Sequence, residues 1–321
     1  MNKVLLSNQV IAILVAESII MLLAITAFVG AFQIYRKWNF ESLTSAQYLL
    51  EKKSYFTTTV VFFVLIVKFV LLPFFASVVD LLSNIVPGAM CGAGVISANS
   101  FGMPIFGVKL VILFLGVCWM IANKIDLENN YAFVKRKFEL FFVIFTLLVL
   151  EFILQLLYFT NISLETPVMC CSVIYGTSDT GSRIPFHLGK LSFSLVFGIV
   201  FILQQLSLWS KNDKLSFVFG ALFFYLGYYF ILHIVGIYIY ELPTHICPFC
   251  MLQKEYHYIG YVVWLSLFLG SFFAMAPMLL TLLIHKTSEQ SYRIAMAFNL
   301  LLVIISTFFV LGYYVKNGVW L

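Results

Sequence analysis

Eight apolar stretches, each close to the length of a bilayer crossing, constrain this chain more than any other feature. A spanning helix needs ~20 predominantly apolar residues. Stretches of this kind run over residues 10–35, 56–80, 104–123, 138–160, 187–209, 215–240, 256–284 and 294–315. The first is too long for a secretory leader, has no small-residue cleavage site and ends on Arg36-Lys37, so it reads as a retained span. Only 10% of the 321 residues are charged and 62% are hydrophobic, whereas a soluble domain carries ~25% charged residues. The expected fold class is therefore an all-α integral membrane protein, a single polytopic transmembrane domain over residues 1–321. A secreted disulfide scaffold, a disordered regulator and a soluble nucleotide enzyme are excluded. No glycine-rich phosphate loop is present, and the net charge of +5 is accounted for by topology, so no nucleic-acid partner is expected.

Cationic loops predict the orientation. The connections after spans 1, 3, 5 and 7 hold Arg36, Lys37, Lys52, Lys53, Lys124, Lys135, Arg136, Lys137, Lys211, Lys214, Lys286 and Arg293, which are twelve residues, against Lys3, Arg183, Lys254 and Lys316 on the opposite side. This asymmetry predicts four helical hairpins with both termini periplasmic, in a bacterial inner membrane. The outer loops 86–110, 166–191 and 242–261 each place a proline three or four residues before the first cysteine. Internal duplication accounts for this pattern, and so does the ordinary use of Pro and Gly at helix ends.

Five of the six cysteines fall in those loops: Cys91, Cys170, Cys171, Cys247 and Cys250. The topology puts all five on the oxidising face, where thiols are disulfide-bonded, redox-active or metal-bound. Cys118 lies in the third span and reads as a small packed hydrophobe. The sharpest segment is Cys247-Pro248-Phe249-Cys250. At a helix start this spacing would bring two sulfurs together near the positive end of the helix dipole, which lowers thiol pKa.

The stretch Cys-Pro-Phe-Cys-Met-Leu-Gln-Lys (247–254) resembles the quinone-linked disulfide bond formation proteins of the DsbB type. The order of loop cysteines before a Cys-x-x-Cys pair is similar to that of the vitamin K epoxide reductase-like proteins. The resemblance implies a membrane thiol-disulfide oxidoreductase with Cys247 and Cys250 as the pair facing a quinone. It also implies Cys170 and Cys171 as the pair that takes electrons from a periplasmic thiol protein. Lys254 would be the cation beside the quinone, standing where those proteins carry arginine. His257, Tyr258 and Tyr261, in the aromatic run that also includes Tyr256 and Trp264, would frame the ring. A membrane-interface belt explains the same aromatics.

Two other readings stay open. Thiolates and thioethers select Cu(I), and Met90, Cys91, Met169, Cys170, Cys171, His245, Cys247, Cys250 and Met251 would be the donors of a copper assembly factor or transporter. Alternatively, the cysteines only staple loops in a structural subunit beside other membrane subunits. A further signal is the set of ionisable residues inside spans, Glu17, Lys68, Glu151 and His233, where a charge costs ~2.5–3.5 kcal/mol. They should face the bundle interior, with Glu17 or Glu151 neutralising Lys68, and Gln155 one turn beyond Glu151.

Overall fold

In a computed structural model the described residues are 3–39, 44–128, 131–168 and 184–321. They are helical, with no strand among them. The main helices are α1 (Asn8–Lys37), α2 (Ser45–Leu81), a short α3 (Gly92–Ile96), α4 (Gly102–Glu128), α5 (Val134–Thr160), α6 (Lys190–Trp209), α7 (Asp213–Phe230), α8 (Gly236–Tyr240), α9 (Ile259–Ile284) and α10 (Glu289–Asn317). Among the described residues eight spans are long and apolar enough to cross a membrane, with α7 running through a π-turn at Ile231–Val235 into α8 as one of them. The exterior is apolar: Leu22, Val70, Leu195 and Phe308 are each more than 60% exposed. A surface of that kind suits lipid rather than water. This is an all-α membrane protein.

The apolar stretches understate two helices. α2 begins at Ser45 rather than near 56, and its extra turns carry Glu51, Lys52 and Lys53. α5 likewise takes in Lys135, Arg136 and Lys137. The α2 turns need only helix propensity and water, and the α5 turn is held by the buried pairing of Lys137 with Asp126, so hydropathy reveals neither. Pro73 and Pro277 sit inside α2 and α9, as spanning helices tolerate when neighbours compensate the lost backbone bond. Asn212 caps α7 by accepting from the Leu215 N–H at 3.1 Å, the usual role of Asn at that position. Gly318, at φ 70°, ends α10 in the left-handed conformation that glycine adopts without strain.

The chain divides into two compact units. The first comprises residues 1–78, 99–162 and 282–286. In it α5 packs on both α4 and α1, with Phe28 stacked on Phe145 at 4.4 Å. Gly30 lets α1 close on Thr57 of α2. The α4–α5 turn is locked by a buried ion pair, Lys137 Nζ to Asp126 Oδ2 at 2.7 Å, and the other Asp126 oxygen accepts the Phe133 N–H. The second unit comprises residues 79–98, 163–281 and 287–321. There α6 packs on α7 through Phe197 stacked on Phe230 at 4.0 Å, and Gly270 of α9 lies against Asn299 of α10. Asp213 at the start of α7 accepts from Tyr292 and Thr281. Spans α4 and α5, and α6 and α7, thus pair as hairpins, while α1 packs on α5 and α10 on α6 and α8.

Candidate thiol site

The site is built at the end of α2 and in the two turns that carry Cys91 and Cys247. Pro87-Gly88 makes the first turn, with Gly88 at φ 82°. The Val168 N–H donates to the Pro87 carbonyl at 2.9 Å, which brings the loop leading to Met169 against this turn. Met169, Cys170 and Cys171 themselves lie outside the described residues. Cys91 then precedes α3 in an extended conformation. The Gly92 N–H donates to Asp80 Oδ1 at 2.9 Å, and Gln253 Nε2 donates to both Asp80 oxygens at 3.0 and 3.1 Å. One carboxylate therefore ties the Cys91 turn to the segment following Cys250. Gly92 is required there, because a Cβ would run into the Phe249 ring.

Cys247 and Cys250 do not open a membrane helix, contrary to the expectation from spacing. They lie in a turn followed by two 3-10 turns, Cys250–Leu252 and Lys254–Tyr256, and α9 starts only at Ile259. Two features keep the helix from extending back to Pro248. Gln253 is held extended at φ −83° and ψ 162° while its side chain bonds Asp80, and His257 and Tyr258 are left-handed. Activation of the thiols by the α9 dipole is thus removed, since that effect fades within a helix's first turn. Side chains fix the turn instead. The Tyr240 hydroxyl donates to the Cys247 carbonyl and accepts the Met251 N–H at 3.0 Å. Trp264 Nε1 donates to the Pro248 carbonyl at 3.2 Å.

These restraints bring three sulfurs together. Cys91 Sγ stands 3.5 Å from Cys247 Sγ, and the Sγ atoms of Cys91, Cys247 and Cys250 all lie within 4.8 Å of one another. Cys91 and Cys247 are 1% exposed and Cys250 8%. Ile246, Phe249 and Met251 are buried alongside them in the sequence. Tyr256 packs edge-on against Tyr240 at 4.8 Å. Desolvation pushes its phenol above the ordinary range, with electrostatic interaction with Cys250, Glu255 and Cys247 adding to the shift.

The other sequence candidates are placed as follows. Lys254 and His257 are exposed, Tyr258 is 53% exposed and Tyr261 is half-buried. The Tyr258 and Tyr261 rings are 6.4 Å apart. Met90 is 74% exposed, whereas Met251 is fully buried. The His245 ring meets Tyr240 edge-on at 4.6 Å, and its Nε2 has no hydrogen-bond partner among the described residues. Cys118 is a buried thiol in α4. Asp80 and Tyr240 escape sequence reasoning. Asp80 had a usable signal, a carboxylate at the very end of an apolar stretch, and Tyr240 had none among seventeen tyrosines.

Four ionisable residues within the spans of the first unit, Glu17, Lys68, Lys109 and Glu151, form one buried network. Lys68 Nζ is 2.5 Å from Glu17 Oε2 and 2.6 Å from Glu151 Oε2. Lys109 Nζ is 3.1 Å from Glu17 Oε1, bonds Glu151 Oε1 and donates to Gln155 Oε1 at 2.9 Å. Both acids therefore meet both lysines, including Lys109, and the four charges sum to zero. A small cleft lies beside them, lined by Lys68, Leu71, Leu72, Lys109, Ile112, Leu113 and Glu151. In the second unit His233 lies in the π-turn, buried and stacked on Tyr229 at 6.2 Å. No family model, curated protein or solved structure matches the chain.

Proposed function

We propose that the chain is a membrane thiol-disulfide oxidoreductase of a bacterial inner membrane, with both termini periplasmic, passing electrons from a periplasmic thiol protein to a quinone. One observation carries the reading: a third thiol, Cys91, stands 3.5 Å from Cys247 of the Cys-x-x-Cys pair, and all three sulfurs lie within 4.8 Å. Disulfide exchange proceeds by attack of a thiolate on a disulfide sulfur. Reacting atoms held ~3–3.5 Å apart are poised for such an attack, so Cys91 can exchange with Cys250 as the disulfide partner of Cys247, one thiolate entering as the other leaves. A cluster serving only to staple loops needs two sulfurs, not three.

In the proposed cycle the immediate donor is the reduced Cys170 and Cys171 pair, one thiolate of which attacks the oxidised Cys247–Cys250 disulfide, giving a mixed disulfide and releasing one thiolate. A second thiol of the donor resolves the mixed disulfide. The donor ends oxidised, and Cys247 and Cys250 are left as a dithiol. Transfer of two electrons and two protons from that dithiol to a quinone gives the quinol and restores the disulfide. Because Cys247 is nearly sealed from solvent, a protein donor exchanges through the relay pair Cys170 and Cys171 rather than directly. Lys254, His257, Tyr258 and Tyr261 would frame the quinone, with His257 as a proton donor.

Trapping thiols in cells with a maleimide mass tag tests this. Cys247 and Cys250 should be largely oxidised in quinone-replete cells and accumulate as dithiols when quinone synthesis is blocked. An unchanged redox state between the two conditions overturns the proposal.

A further inference from the structure

We infer that the reduced thiols of Cys91, Cys247 and Cys250 form a binding site for one soft monovalent metal ion, Cu(I). This goes beyond the exchange reaction, because it concerns the reduced state and involves no electron transfer.

The first ground is geometric. Metal–thiolate bonds are ~2.3 Å long, so an ion at the centre of three thiolates sets its sulfurs ~4.0 Å apart. The observed triangle has one edge of 3.5 Å and none above 4.8 Å. The sulfurs therefore need to shift by less than an ångström to enclose an ion. The second is the donor set. Among the described residues the group brought together is three sulfurs, with no carboxylate or imidazole in it. Hard cations such as Mg²⁺ and Ca²⁺ take oxygen ligands, and structural Zn²⁺ takes four donors. Soft thiolates in a set of three select Cu(I).

The third ground is preorganisation. Each ligand is held by a bond that does not involve its own sulfur: Cys91 by Asp80 on the Gly92 N–H, Cys247 by the Tyr240 hydroxyl on its carbonyl, and Cys250 by the Met251 N–H on the same hydroxyl. Ligands fixed in this way lose little freedom when the ion binds. Burial of all three below 10% exposure shields a bound Cu(I) from water. Ligation also consumes the thiols, so the ion would hold the cluster in its reduced form.

The experiment uses the full chain in detergent, reduced and handled without oxygen, with Cu(I) supplied as its acetonitrile complex. One Cu(I) per chain should be retained against bicinchoninate, with X-ray absorption showing only sulfur neighbours at ~2.3 Å. Loss of a group merely supporting a ligand costs about 10–100-fold in affinity. Cys91→Ser and Cys247→Ser should therefore weaken binding by at least ~100-fold, while Cys118→Ser and the double variant Cys170→Ser, Cys171→Ser leave it unchanged. Mass-spectrometric footprinting of the unmutated chain guards against misfolded variants: Cu(I) should protect Cys91, Cys247 and Cys250 from a small alkylating reagent. Absence of retained copper, equal retention by Cys91→Ser, loss in the Cys170/Cys171 variant, a preference for Zn²⁺ or an unaltered footprint would each overturn the inference. None of these readouts depends on quinone, so failure here is separable from failure of the exchange reading.

Discussion

Replacing Glu151 by glutamine keeps the shape of the side chain and deletes one charge from the buried network of the first unit. Before the change two lysines face two glutamates, with side-chain exposures of 1–5%. Afterwards the net charge is +1 inside an apolar bundle. At an effective dielectric of about 20, the lost contact with Lys68 at 2.6 Å is worth roughly 6 kcal/mol. Part of that is offset, because the desolvation of the carboxylate disappears with it. Breaking a buried pair by removing one partner costs about 3–5 kcal/mol net. Equilibrium unfolding in mixed micelles, followed by far-ultraviolet circular dichroism, should show Glu151→Gln destabilised by about 3 kcal/mol or more, roughly a hundredfold in the folding equilibrium. Adding Lys109→Met returns the network to neutrality, with Glu17 still paired to Lys68, and should recover most of the loss. A Glu151→Gln variant within about 0.5 kcal/mol of the parent would refute the reasoning, as would a double variant no better than the single.

Three further outcomes test the thiol site and the α4–α5 turn. In a Cys250→Ser background, mild oxidation with diamide should give a Cys91–Cys247 disulfide detectable by peptide mass spectrometry. Gly92→Ala, which forces a Cβ against the Phe249 ring, should reduce its yield and cost about 1–3 kcal/mol of stability through overpacking; an undiminished yield counts against the packing described. Lys137→Met leaves Asp126, fully buried, without its cation, and a loss of about 3–5 kcal/mol is expected. A wild-type melting curve for that variant would mean that the ion pair contributes nothing net.

Hydropathy and charge alone determined the class of this protein, because crossing a bilayer is a local requirement: ~20 apolar residues in a row, whatever lies elsewhere in the chain. The eight stretches correspond to the eight spans for that reason, and the burial of Glu17, Lys68 and Glu151 could be anticipated because lipid excludes charge. Features set by partners distant in sequence were a different matter. That Lys109 completes the network depends on α4 lying beside α5, and the contact with Glu151 spans 42 positions. Spacing suggested a helix start for Cys247 and Cys250, whereas the bond from Gln253 to Asp80, 173 positions away, holds that segment as a turn. Cys91 was one loop cysteine among five until tertiary contacts set it beside Cys247, 156 residues further on. Local composition says which groups must avoid lipid, but only the packing of hairpins decides which of them meet.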